Sequence, residues 1–69
     1  MKDFNRALQI NPKSADTYFN RGLLYVETKN EQLAIKDFQQ AASLYKQQNR
    51  TKDYQDALEQ IQQIQQAVL

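Results

Sequence analysis

Asp53, Asp56 and Glu59 recur at three-residue spacing, which places three carboxylates on neighbouring positions of a helix and offers oxygen ligands to a hard cation. Acidic residues in the first turns of a helix, where the dipole favours negative charge, account for Asp53 and Asp56 better. No metal and no other cofactor is expected. Asn49-Arg50-Thr51 matches the acceptor pattern for N-glycosylation, but no secretory signal accompanies it and both of its ends have helix-capping uses. The chain has no His, no Cys and no Trp, and its single glycine is Gly22. Imidazole, thiolate and disulfide chemistry are therefore excluded, and a glycine loop that cradles phosphate has no raw material. An enzyme is the class that these residues support least.

Nine basic and eight acidic residues leave a net charge of +1, distributed as +2 over 1–14, 0 over 15–48 and −1 over 49–69. None of these segments is the clustered basic patch through which proteins displace counterions from nucleic acid, so no nucleic-acid partner is expected. The longest uninterrupted apolar run, Leu23 to Val26, is far short of a membrane span, and Met1 is followed by Lys2-Asp3-Phe4, not by an apolar signal region. The expectation is a soluble cytoplasmic protein with no membrane partner. The lack of cysteine agrees with a reducing compartment.

With one Pro, one Gly and abundant Ala, Leu, Gln, Lys and Glu, the composition favours helix almost throughout. Asn11-Pro12-Lys13-Ser14 breaks the pattern, since Pro12 cannot continue a helix and Ser14 can cap the next one. Lys29-Asn30 and Gln48-Asn49-Arg50-Thr51 are further breaks, with Asn30 and Thr51 as N-caps. Helices are thus predicted near 1–10, 15–28, 31–47 and 52–67. In the second, Tyr18, Gly22 and Tyr25 form one stripe and Phe19, Leu23 and Val26 another, spanning about 160° together and calling for cover on two sides. The third is as broad, through Leu33, Ala34, Ile35, Phe38, Ala41, Ala42, Leu44 and Tyr45. The fourth is narrower, with Tyr54, Ala57, Leu58, Ile61, Ile64 and Val68 on one side and a glutamine-rich opposite face.

An internal repeat organises these helices. Shifted by 34 residues, Met1-Lys2-Asp3-Phe4 falls on Ile35-Lys36-Asp37-Phe38, Ala7 on Ala41 and Ile10 on Leu44. A helix-turn-helix unit of this period is the signature of one repeat class. The chain resembles the tetratricopeptide repeat family, whose first helix carries an aromatic, a small residue and an aromatic one turn apart, and whose second carries Ala, an aromatic and Ala. Tyr18, Gly22, Tyr25, Ala34, Phe38 and Ala41 stand at these positions, while Lys46 replaces a Pro, Lys29 a turn Gly and Glu31 an aromatic. The resemblance implies an all-α, right-handed superhelical stack in three parts: 1–14 as the second helix of a truncated preceding repeat, 15–48 as a complete repeat, and 49–69 as a C-terminal capping helix. Gly inside a helix costs about 1 kcal/mol relative to Ala, so Gly22 implies a close helix contact, with Ala34 as its expected opposite number.

Members of the family bind peptides or partner proteins on a concave face lined by their first helices. Carried over, that face comprises Asp16, Phe19, Asn20, Leu23, Val26 and Glu27 with Lys52, Gln55, Glu59, Gln62 and Gln63. Phe19, Leu23 and Val26 would form an apolar ligand strip or else pack on the neighbouring helix. Tyr18-Phe19-Asn20-Arg21 resembles the segment with which some members clamp a terminal carboxylate. Phe19 and Leu23 stand where the other polar donors would be needed, and such a clamp is not expected. The leading expectation is a protein-interaction module from the end of a longer array. Two alternatives are self-assembly through the N-terminal helix, where Met1, Phe4 and Leu8 lack a covering first helix, and a coiled coil through Tyr54, Ile61 and Val68.

Overall fold

The breaks in the sequence become turns of defined geometry. Asn11 Oδ1 accepts the Lys13 N–H at 3.2 Å, and Ser14 Oγ accepts the Thr17 N–H at 3.4 Å and lies 2.8 Å from Thr17 Oγ1. Ser14 is thus the N-cap that its position suggests. The next two turns share one construction. Lys29 and Asn49 adopt left-handed backbone, at φ 63° and 59°. The amides that follow reach back to the last helical turn, Asn30 N–H to Tyr25 O at 2.8 Å and Arg50 N–H to Tyr45 O at 2.9 Å. Lys29 and Asn49 themselves donate to Val26 O and Lys46 O at 3.1 Å, which completes two Schellman motifs without glycine.

The computed structural model describes residues 2–67 as four helices in chain order: α1 (Lys2–Ile10), α2 (Ala15–Glu27), α3 (Glu31–Gln47) and α4 (Thr51–Ala67). Among the described residues there is no strand. α4 begins at Thr51 itself, so Thr51 is not its cap; Arg50 O accepts the Tyr54 N–H at 2.9 Å. Asn30 does stand at the N-cap position of α3, but its side-chain amide donates to Thr28 Oγ1 at 2.8 Å and caps nothing. α3 packs on α2 along one side and on α4 along the other, and α1 rests more lightly on α2. The Cα trace measures 36 × 28 × 12 Å. In so thin a slab most helices keep a wet face, and only α3, covered on two sides, carries most of the core.

Burial follows from that placement. Ala34, Phe38, Ala41, Ala42, Leu44 and Tyr45 of α3 are buried, joined by Ala15 from α2 and by Ala57 and Ile64 from α4. Phe19 sits between the two clusters, edge-on to Phe38 with ring centroids 5.2 Å apart and tilted against Tyr45 at 6.4 Å. The close approach at Gly22 is made by the ring of Phe38, not by Ala34. A Cβ on Gly22 would lie 2.8 Å from Phe38 Cε1 and 3.0 Å from Cδ1 and Cζ. Ala34 lies in the cluster with Phe38 and Ile64, where a small residue lets α4 come close.

Three expectations about cover are corrected. α2 is covered on one side more than two, since Leu23 and Val26 are each 38% exposed. Leu33 points outward at the start of α3 although it lies within the broad apolar arc. Leu8, expected to lack cover, is buried in the chain, whereas Ile10 is 79% exposed and its repeat counterpart Leu44 only 6%. Met1 and Val68, which figure in the expected N-terminal face and heptad, lie outside the described residues.

Candidate partner-binding groove

A groove of about 310 Å³ opens between α2 and α4, lined by Val26, Glu31, Gln60, Gln63 and Ile64. Each wall follows from helical spacing. Phe19, Leu23 and Val26 share one face of α2 at four- and three-residue steps. Phe19 turns into the core against Phe38, and Leu23 and Val26 are left half-open beyond it. On α4, Gln60 and Gln63 lie one turn before and one residue before Ile64, so two amides flank one apolar side chain. Ile64 is buried at the floor, in the cluster with Phe38 and Ala34. Glu31, the first residue of α3, closes one end.

Of the side chains expected on the concave face, Val26 and Gln63 line this groove; Leu23 does not line it but is exposed one turn before Val26 on α2. Asn20, Glu27, Lys52, Gln55, Glu59 and Gln62 are exposed and do not line it. Phe19 belongs mainly to the core. Asp16 is committed within the chain: its carboxylate accepts the Tyr45 hydroxyl at 2.7 Å and the Arg50 guanidinium at 3.2 and 3.4 Å. Glu31, Gln60 and Ile64 were not anticipated in the groove. Ile64 carried the signal, because a core residue of the last helix that faces α2 brings its i−4 and i−1 neighbours to the mouth.

Two polar clusters hold the helices that form the walls. Arg21 donates from Nε and Nη2 to the two carboxylate oxygens of Asp37 at 2.7 and 2.8 Å, and from Nη1 to Asn5 Oδ1 at 2.7 Å. One guanidinium thus ties α2 to α3 and α1, lying 5.6 Å and 5.8 Å from the ring centroids of Tyr18 and Tyr25. Asp37 is buried, and the fork-to-fork pairing answers both of its oxygens. The Asp37 carboxylate raises the pKa of Arg21 further, against a smaller opposing effect of burial. Along with Tyr18, Tyr25, Leu33, Lys36 and Gln40, this pair lines a second hollow of about 270 Å³ between α2 and α3.

The other cluster joins α2, α3 and α4 through Asp16, Tyr45, Arg50 and Asp53. Arg50 pairs with Asp53 at 2.8 Å and lies 4.8 Å over the Tyr45 ring. The Tyr45 hydroxyl, and then the Arg50 guanidinium, hold the Asp16 carboxyl below its ordinary range in spite of some desolvation. Burial, followed by the bond to Asp16, pushes the Tyr45 phenol well above its ordinary value. Asp53 is thus engaged by the neighbouring Arg50 guanidinium. Among the described residues no group of His, Cys, Asp or Glu is arranged to hold a metal ion. No helix among them is long and apolar enough to cross a membrane.

Residues 1–29 match the family model described as TPR repeat. The match runs through α1, the Pro12 turn and α2, including Tyr18, Gly22 and Tyr25. No curated protein and no solved structure matches the chain.

Proposed function

We propose that this chain, whose residues 1–29 match the TPR repeat model, is a protein–protein interaction module and that its interaction surface is the concave groove between α2 and α4. The observation that carries this reading is the placement of Leu23 and Val26. Both are 38% exposed on a face whose third member, Phe19, is drawn into the core. A contiguous apolar strip left open beside a groove with amide walls is the pattern of a surface that a partner covers. A peptide or a partner protein fits it, with Asn20, Glu27, Lys52, Gln55 and Glu59 at its margins, and the segment acts as the C-terminal part of a longer cytoplasmic array. No catalytic role is part of this reading.

Leu23→Gln tests it. Pull-down with the longest natural chain that contains this segment should lose its partner, while circular dichroism shows the helicity retained. Unfolding of the variant would instead place Leu23 in the core and remove the strip as a ligand surface.

Ile10 supports a second reading. It is 79% exposed where its counterpart Leu44 is 6% exposed, and Phe4 is half-open where Phe38 is fully buried. In the complete repeat, α2 covers α3; a second copy of the chain can supply that cover to α1 and give a homo-oligomer. Sedimentation equilibrium of the wild type against Phe4→Glu distinguishes the two, since a chain that stays monomeric and folded at millimolar concentration removes the self-assembly reading.

A further inference from the structure

The charge around the groove is one-sided. Glu31 is the only ionised side chain among those lining it. Among the described residues, the ion pairs engage Asp16, Asp37 and Asp53, and Glu31 is in none of them. Between Gly22 and Ile35 the sequence has Lys29 as its one cation against Glu27 and Glu31. From Asp53 to Ala67, α4 carries Asp53, Asp56 and Glu59 and no Lys or Arg. Two of the three arginines are already spent on carboxylates, Arg21 held by Asp37 and Arg50 by Asp16 and Asp53, while the third, Arg6, lies on α1, and none of them lines the groove. What remains at the mouth of the groove is an apolar floor, two neutral amides and negative charge.

Resting on the reading of this groove as the interaction surface, we propose that it selects a segment of another protein that presents an aliphatic side chain flanked by lysine or arginine. The aliphatic side chain covers Val26 and Ile64, at a site whose volume of about 310 Å³ is at the small end of ligand sites. Gln60 and Gln63 each offer both a donor and an acceptor to the backbone of the segment. The flanking cation meets Glu31, whose own charge already complements the N-terminal dipole of α3. An acidic segment would instead place like charges together beside Glu31 and Glu59, and repulsion of that kind sets specificity more than affinity.

Nitrogen-15 HSQC titrations of the 69-residue chain with three capped peptides, of core Lys-Leu-Lys, Glu-Leu-Glu and Lys-Ser-Lys, test this. Lys-Leu-Lys is expected to shift the amides of Val26, Glu31, Gln60, Gln63 and Ile64, and to bind at least about fivefold more tightly than either other peptide. Glu31→Gln should weaken it by up to about fivefold and Glu31→Lys by more, and added salt should act in the same direction. The Gln variant keeps the test valid if Lys at the helix start lowers stability. Equal binding of Glu-Leu-Glu and Lys-Leu-Lys in the groove overturns the charge preference and leaves the groove as an interaction surface. Groove amides that respond to none of the peptides overturn both. Shifts at α1 and the groove that depend on protein concentration without any peptide would assign the groove to a second copy and also overturn the proposal.

Discussion

Gly22→Ala separates two effects of opposite sign whose sizes can be compared from the structure. In an exposed helix interior the change stabilises by about 1 kcal/mol, because alanine has the higher helix propensity. Here the new Cβ would be 2.8 Å from Phe38 Cε1 and 3.0 Å from two more ring carbons. The ring is no mobile end that can step aside. Phe38 is fully buried, edge-on to Phe19 and clustered with Ala34 and Ile64. Overpacking of this kind costs about 1–3 kcal/mol, so the net effect is a loss of about 0–2 kcal/mol. Gly22→Leu adds further atoms and should lose more. The diagnostic is the second background. With Phe38→Leu the ring is gone, and Gly22→Ala should turn stabilising by up to about 1 kcal/mol. Urea unfolding followed by circular dichroism measures both, and 1 kcal/mol corresponds to about 4–8 °C in Tm for a domain of this size. A gain of about 1 kcal/mol from Gly22→Ala in the wild-type background would refute the close contact.

Other substitutions and conditions should behave as follows. Asp37→Asn leaves the Arg21 guanidinium without its bidentate partner and should cost about 2–4 kcal/mol in urea unfolding, less than for a fully buried pair because Arg21 keeps some exposure. Lys29→Gly should stabilise by about 0.5–1 kcal/mol by removing a side chain from left-handed backbone, and Asn49→Gly by less, since Asn tolerates that region. Asp16 is depressed below 3.8, so its contribution is complete above that pH and is lost as pH falls through the lower folded value. Tyr45 is raised above 10.0, so its contribution is present below that pH and is lost as pH rises beyond it. The urea midpoint should thus decline at both extremes, and Tyr45→Phe should flatten both limbs. Gln62→Ala, on the exposed face of α4, should change stability by no more than about 0.5 kcal/mol.

Helical periodicity and the turn residues made the four helices legible, because Pro12, Asn30 and the Gln48–Thr51 break act locally. The repeat shift identified Phe38 and Ala41 as core before any packing was known. What escaped was set by which helix covers which. Leu33 and Leu44 belong to one apolar arc, yet α2 and α4 cover Leu44 and leave Leu33 open. Gly22 signalled a close contact, but its partner could not be told apart among the small and aromatic residues of α3, and it is a ring. The Arg21–Asp37 and Asp16–Tyr45–Arg50 clusters join residues 16, 29 and 34 positions apart, beyond any local rule. The same holds for the groove. Val26 was legible from its helix face, but Glu31 joins it only through the turn between α2 and α3, and Gln60 and Gln63 only because α4 packs on α3.

The central claim is that partners engage the face between α2 and α4. Photo-crosslinking in the longest natural chain containing this segment, with p-benzoylphenylalanine replacing Val26 in one sample and Gln47, outside the groove, in another, tests it most directly. Discrete adducts to another protein at position 26, absent at position 47 and suppressed by excess Lys-Leu-Lys peptide, are the predicted result. Adducts at position 47 alone, or equal labelling at the two positions that the peptide does not suppress, would contradict it.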